Sequence, residues 1–544
     1  MFETLGFGLL VLIVAMSLSM ALIPIMMRLA PRLGMIDKPD ARKVHAIPIP
    51  RVGGVGIVIG ALLPMVIWLS PNDTITAYLL GSLVLLFFGV WDDVKELGHY
   101  VKFVGQFVAV SLVVFYGDLY VSHIPFVEQE LSKTAGSLFT VFAIVGMINA
   151  INHSDGLDGL AGGESLLSLA GIFYLAYQIE DVVVMMICLA TIGGVFGFLR
   201  FNSHPARVFM GDGGSQFLGF TLGFLAVYLT QVSNTALSAA LPLLLLGLPI
   251  VDIISVFAQR IYGGMNWFRA TRNHIHHRLL DLGFHHSSSV LIIYSIQALL
   301  VVCGVLMPYE ADALLIGIYL VVTVVVFGSL VLAERAEWRL NSGDKGALEE
   351  RASLLGSPEW LRTGSHKGAE ILLSVFLLAG AFAATTIPVD VSVASAVLAL
   401  ILLARLVYGY RLWFLFLRLI LYVAVAFVAY LLQFYAPDIT ATYKPLMIVF
   451  FGILALCVVA AVRFSKSEFF QANPLDYLAL IMVVILALLS SRGVVESAVI
   501  SLVVKMVVLF YAAELVMKHM SSRWNMLTVS ALMSFVIIGI RGLV

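Results

Sequence analysis

The 544-residue chain reads as an all-α polytopic membrane protein. Three observations carry that reading: 61% of residues are hydrophobic, only 12% are charged, and mean hydropathy is +1.02, whereas soluble domains are about 45–50% apolar and about 25% charged. Such a composition excludes a disordered chain and a nucleic-acid-binding surface, both of which need many more charges. Cys188, Cys303 and Cys457 each lie inside an apolar run, which points to buried packing and away from a disulfide framework or a zinc site.

A helix needs about twenty apolar residues to cross the hydrocarbon core. Windows of that kind predict eleven spans up to residue 333, with cores near 5–27, 53–69, 76–91, 101–116, 138–151, 161–178, 182–199, 214–231, 236–258, 289–307 and 312–333. The first has no basic residue ahead of it and no small-residue cleavage site, so it is expected to be a retained helix. A polar stretch, 334–370, rich in Arg, Glu, Gly and Ser, reads as a cytoplasmic linker. About seven further spans follow, near 371–388, 391–408, 412–434, 445–462, 475–490, 495–517 and 525–541. The expected domains are therefore a membrane block over 1–333, the linker over 334–370 and a second membrane block over 371–544.

Lys and Arg accumulate in cytoplasmic loops. In the first block, with the linker, one set of loops carries twenty of them and the opposite set carries Lys133 alone, which predicts an outside N-terminus. Five polar segments then fall at the cytoplasmic surface. Asp92 and Asp93 end the third span; adjacent helical positions diverge by about 100°, so they are expected to serve two partners. Asn149, Asn152, Asp155 and Asp158 recur every third residue where the fifth span emerges, on one face of a helix end. Gly211-Asp212-Gly213-Gly214-Ser215 opens the eighth span, a helix start suited to a phosphate bridged by Mg²⁺, with Asp212 as first ligand. Arg269, Arg272, His274, His276, His277 and Arg278 form a basic loop better suited to pyrophosphate than to zinc, because no cysteine completes a ligand set. Arg42, Lys43, His45 and Arg51 stand in an amphipathic loop ahead of Gly53-Gly54, fit for an anionic lipid headgroup or the anionic membrane surface. Asp252 sits within the ninth span beside Pro249.

Carboxylates, a cation site and two basic loops on one membrane face suit a reaction between two phosphate-bearing substrates, one of them a lipid. The alternative class is a transporter or lipid-handling protein. Against a transporter, the motifs gather at one surface and not at the midplane between repeats.

With these motifs in order, residues ~5–333 resemble the polyprenyl-phosphate N-acetylhexosamine-1-phosphate transferases. The Asp37-Lys-Pro, Arg42-Lys43-Val-His45, Pro50-Arg51-Val-Gly-Gly and His274-Ile-His276-His277-Arg278 segments resemble the bacterial undecaprenyl-phosphate GlcNAc-1-phosphate transferase branch. The related translocase for a pentapeptide substrate has a different His-rich loop. The resemblance implies transfer of N-acetylhexosamine 1-phosphate, foremost GlcNAc-1-phosphate, from a UDP-sugar to undecaprenyl phosphate, with release of UMP and initiation of a lipid-linked glycan such as O-antigen. It implies Mg²⁺, with Mn²⁺ as an alternative, held by Asp212 and Asp92. Asp92, Asp93, Asp155 and Asp158 would be catalytic. Asn149 and Asn152 would line the donor pocket, and His274, His276, His277 and Arg278 would hold pyrophosphate and sugar. Location would be the bacterial inner membrane with a cytoplasmic active site, without nucleic acid; a homodimer is left open. Residues 371–544 lie outside the resemblance and gather no catalytic cluster.

Overall fold

The computed structural model describes residues 2–39, 47–127, 129–264, 273–340, 359–408, 414–436, 438, 442–463, 478–479, 481–482, 485, 497–518 and 525–543. The chain divides into two compact units, Met1–Ser342 with Ala472–Ile481, and Gly343–Gln471 with Met482–Val544.

The first unit is helical apart from a minimal ribbon. In order it comprises α1 (Phe2–Leu33), β1 (Ile36–Asp37), β2 (Ile49–Pro50), α2 (Gly53–Trp68), α3 (Asp73–Lys95), α4 (His99–Ser111), α5 (Lys133–Ser154), α6 (Leu160–Gln178), α7 (Val182–Asn202), α8 (Asp212–Tyr228), α9 (Leu241–Leu245), α10 (Gly247–Tyr262), α11 (Ile275–Asp281), α12 (His286–Leu306) and α13 (Asp312–Arg335). Polar residues set several helix starts: Asn72, Ser132 and Asp181 each accept a backbone N–H from the first turn, of Ile75, Ala135 and Val184. One turn of π-helix extends α4 through Tyr116 and another extends α8 through Ser233.

Helix α8 is the axis of this unit, buried from Gly213 to Val227 and packed by α2, α3, α5 and α6. Two glycine pairs allow the approach. A Cβ on Gly89 of α3 would lie 2.2 Å from Cα of Gly213, and one on Gly54 of α2 would lie 2.2 Å from N of Gly214. Backbones this close bring the ends of α2, α3 and α8, where the charged motifs sit, into one cluster.

Among the described residues, twelve helices are long and apolar enough to cross a membrane. All eleven spans expected before residue 334 coincide with helix, but α2 is only 16 residues long and the ninth is broken. Pro249 cannot donate to the carbonyl four residues back, that of Leu245, and its ring crowds it; α9 ends at that residue. Gln297 of α12, fully buried, repairs the break. Its Nε2 donates to the Leu245 carbonyl at 2.9 Å and its Oε1 accepts the Leu248 N–H at 3.0 Å.

The second unit comprises α14 (Glu359–Ala383), α15 (Val389–Tyr408), α16 (Phe414–Tyr435), α17 (Lys444–Arg463), α18 (Ser497–Lys518) and α19 (Met526–Leu543). Helix α19 packs on α14 and α15, and α16 on α18. Tyr422 donates to Glu514 at 2.6 Å and Lys505 to Gln433 at 2.9 Å across the α16–α18 seam. The span expected near 475–490 lies mostly outside the described residues, as does Arg411. The apolar parts of α15 and α16, Val391–Val407 and Ile420–Tyr435, are shorter than a full span.

Candidate active site

A pocket of about 730 Å³ opens at the end of the first unit where the polar motifs meet. Its walls come from the β2–α2 entry, the end of α3, the start of α4, the α5–α6 turn, the α7–α8 connection and α11. Backbone bonds fix these pieces: Phe209 N–H donates to the Pro50 carbonyl at 2.8 Å, and the Gly53 and Gly54 N–H groups donate to the carbonyls of Phe209 and Met210 at 2.9 and 2.7 Å.

The charge centre of the pocket is a three-residue clasp. Lys102, at the start of α4, places Nζ 2.7 Å from Asp92 Oδ2 and 2.7 Å from Asp212 Oδ2. Asp92 also accepts the Leu97 N–H through Oδ1 at 2.6 Å. Around Asp212, Asn152 Nδ2 donates to Oδ1 and Gln216 Nε2 to Oδ2, each at 3.3 Å, while Asn152 also reaches Ser215 Oγ at 2.8 Å. Two carboxylates from different helices thus share one cation in a half-buried, oxygen-rich setting.

Asp92 and Asp93 do take different partners, as their angular separation predicts. Asp93 turns to the start of α8, where its Oδ1 accepts the Asp212 N–H at 3.2 Å. This corrects the expectation of a free helix start for phosphate: a protein carboxylate already occupies the position that the dipole favours.

Asp155 lines the pocket from the α5–α6 turn. Burial pushes its carboxyl up to about 7, with the charges of Asp212 and Asp158 adding to the effect. Asp158 Oδ2 accepts from His204 Nδ1 at 2.7 Å and from the Ala206 N–H at 3.0 Å, which ties the α5–α6 turn to the α7–α8 connection. Asn202 reinforces that tie by accepting the Gly159 N–H and donating to the Val208 carbonyl, both at 2.8 Å.

In the histidine loop, His277 lines the pocket, whereas His274 and His276 stand behind it. Asp252 explains the placement: its Oδ2 lies 2.7 Å from His274 Nδ1 and its Oδ1 accepts the Ile275 N–H at 2.8 Å, so it anchors the start of α11. His274 stacks on His153 and on His276. Burial, with His277, His274 and His153 nearby, pushes the His276 imidazole well below its ordinary value and leaves it neutral at pH 7. Its ring fills the space beside Gly156, where a Cβ would lie 2.1 Å from Nε2.

Two further expectations are corrected. Arg278 points away from the pocket, its Nε and Nη2 donating to Oε1 and Oε2 of Glu334 at 2.6 and 2.9 Å, a bidentate bond that uses the fork geometry of guanidinium. Asn149 lies behind the pocket wall, donating to Gln106 Oε1 and the Val145 carbonyl, because three residues before Asn152 it sits a turn deeper in the bundle. Arg51 lines the pocket and pairs with Asp37, with Glu96 at 3.9 Å. Arg42, Lys43, His45, Arg269 and Arg272 lie outside the described residues. Lys102, His204 and His286 are pocket residues that the motif reading passes over. Lys102 stands at the start of the fourth apolar window, and a charge there is the signal that could have found the first of them.

Residues 75–230 match the model of glycosyl transferase family 4. A Bacillus subtilis protein named a probable undecaprenyl-phosphate N-acetylglucosaminyl 1-phosphate transferase is 33% identical over 325 residues, 59% of this chain and 89% of that protein. Proteins named undecaprenyl-phosphate alpha-N-acetylglucosaminyl 1-phosphate transferase are 32% identical over 290 residues in Haemophilus influenzae and 30% over 292 in Escherichia coli O157:H7, covering 52% of this chain in each case and 82% and 79% of theirs. A helical membrane unit with acidic and histidine motifs around one pocket, and relatives covered over most of their length, lead to one assignment: the chain belongs to the polyprenyl-phosphate N-acetylhexosamine 1-phosphate transferases of glycosyl transferase family 4.

Proposed function

We propose that the chain transfers N-acetylglucosamine 1-phosphate from UDP-N-acetylglucosamine to undecaprenyl phosphate on the cytoplasmic face of the bacterial inner membrane, releasing UMP. The relatives' names support the acceptor and the sugar. The distribution of Lys and Arg supports the sidedness. In the reaction an oxygen of the lipid phosphate attacks the β-phosphorus of the donor. The new P–O bond forms as the bond from that phosphorus to the bridging oxygen breaks, and the electron pair leaves with UMP. A phosphate dianion already present near neutral pH needs no general base, so the protein's task is to position two anions and offset their repulsion.

The observation that carries this reading is the Asp92–Lys102–Asp212 clasp on the pocket wall. Carboxylate oxygens from two helices, completed by water and phosphate oxygens, are the donor set that suits Mg²⁺, and the Lys102 ammonium is a stand-in cation held by the same two carboxylate oxygens. Asp92 and Asp212 are therefore assigned to Mg²⁺, with Asn152 orienting Asp212. Bound Mg²⁺ would supply charge neutralisation at the phosphate oxygens of the donor. Lys102, released from the carboxylates, is placed to meet the acceptor phosphate. Asp155 adds negative charge beside the cation, Asp158 holds the wall that faces the donor, and His277 and Arg51 offer donors to phosphate oxygens. Asp93, His274 and His276 position these groups from behind.

Purified full-length protein in nanodiscs, given undecaprenyl phosphate, Mg²⁺ and a panel of UDP-sugars, tests the proposal. UMP release is expected with UDP-N-acetylglucosamine, abolished by chelation and reduced by at least about 10²-fold in Asp212→Asn. Absence of turnover with every UDP-sugar by folded protein would overturn it.

A further inference from the structure

Asp158, His204 and His286 come from three separate elements, the α5–α6 turn, the α7–α8 connection and the first residue of α12, and all three line the pocket. One ligand atom from each lies within 4.8 Å of the other two. Some point therefore lies within about 2.8 Å of all three atoms, so a contraction of under about 1 Å reaches the 2.0–2.2 Å of Zn–N and Zn–O bonds. The His204 and His286 rings stack with centroids 4.1 Å apart. His204 already spends Nδ1 on Asp158. Both ring nitrogens of His286 are shielded from solvent and have no hydrogen-bond partner among the described residues. Leaving polar atoms buried and unpaired is costly, and an ion is one of the few groups that satisfies a ring nitrogen there.

We propose that Asp158, His204 and His286 form a second cation site, selective for a transition-metal dication of the Zn²⁺ class and built from different residues than Asp92 and Asp212. Selectivity follows from the ligands: two imidazoles and one carboxylate suit Zn²⁺, whereas Mg²⁺ favours oxygen throughout. Capture of the ion exchanges the His204–Asp158 hydrogen bond for coordination and turns the His286 ring out of its stack. Three protein ligands leave a fourth position facing the pocket, open to water or a phosphate oxygen. Because the ligands span three elements, occupancy also cross-links them.

The test is Zn²⁺ titration of the full chain in nanodiscs against a chromogenic chelator, in excess Mg²⁺, with melting followed in parallel. One equivalent of Zn²⁺ is expected, with a rise in melting temperature. His204→Ala and His286→Ala should each weaken binding by at least about tenfold, a loss that even outer-sphere changes produce at metal sites, and should remove the thermal rise. Asp212→Asn should bind Zn²⁺ as the wild type does. X-ray absorption of the Zn²⁺-loaded wild type, which needs no variant to fold, should show two imidazoles in the coordination sphere. No Zn²⁺ binding in excess Mg²⁺, a sphere without imidazole, or a site lost in His277→Ala but intact in His204→Ala and His286→Ala would overturn the proposal.

Discussion

Replacing Lys102 with Gln probes the clasp directly. In the wild type the ammonium lies 2.7 Å from a carboxylate oxygen on each side. Its removal leaves two carboxylate oxygens no more than about 5.4 Å apart, a repulsion of at least about 3 kcal/mol at an effective dielectric of about 20. A dication entering the wild-type site must first displace the ammonium, whereas in the variant it relieves the repulsion. At about 1.4 kcal/mol per tenfold, Mg²⁺ affinity should rise by roughly two orders of magnitude in Lys102→Gln. The Mg²⁺-free variant should melt below the wild type and recover on Mg²⁺ addition, because a buried charge left unpaired is destabilising. Transfer should fall despite the tighter metal, since the cation assigned to the acceptor phosphate is gone. Isothermal titration with Mg²⁺ on both proteins in nanodiscs decides the matter. Unchanged or weaker Mg²⁺ binding in Lys102→Gln would refute the assignment of Asp92 and Asp212 as a shared cation site.

The remaining predictions concern the walls. Gly156→Ala sets a methyl group 2.1 Å from His276 Nε2; overpacking of that size costs about 1–3 kcal/mol, and transfer should fall by at least about tenfold with the fold retained by circular dichroism. Asp155 titrates near 7 when buried without metal. A carboxyl raised in the folded state costs no stability below its ordinary range near pH 4, and the cost grows as pH climbs through about 7. Asp155→Asn should therefore melt higher than wild type at pH 8 without Mg²⁺ and no differently at pH 4; the same ionisation should make Mg²⁺ affinity in the wild type rise from pH 6 to 8 and leave it flatter in the variant. Arg278 pairs with Glu334 and not with the pocket, so Arg278→Lys and Glu334→Gln are expected to lower transfer to the same degree; a loss in Arg278→Lys with Glu334→Gln neutral would return Arg278 to the substrate.

What was legible in the sequence was the material of the site more than its wiring. Apolar windows place every membrane span before residue 334 because a span must satisfy its backbone internally, the break in the ninth follows from Pro249, and only the short α11 falls outside them. Asp92, Asp155 and Asp212 stand out because charge is expensive at membrane depth. Partner choice is another matter. Glu334 capturing Arg278, Asp93 occupying the start of α8 and Gln106 holding Asn149 are long-range contacts set by helix rotation, to which a single sequence gives no access. Lys102 enters the sequence argument only as one of the twenty basic residues on the cytoplasmic side, because ten residues separate it from Asp92 and only the fold of α3 onto α4 joins them.

Donor labelled with ³²P in its β-phosphate tests the central claim most directly. Incubated with undecaprenyl phosphate, Mg²⁺ and the full chain, UDP-N-acetylglucosamine so labelled should pass its label to the lipid, with one unlabelled UMP released per lipid modified, and Asp212→Asn should leave the label on the donor. Label recovered in UDP would mean that the sugar moves without its phosphate, and would contradict phosphoryl transfer at the Asp92–Asp212 site.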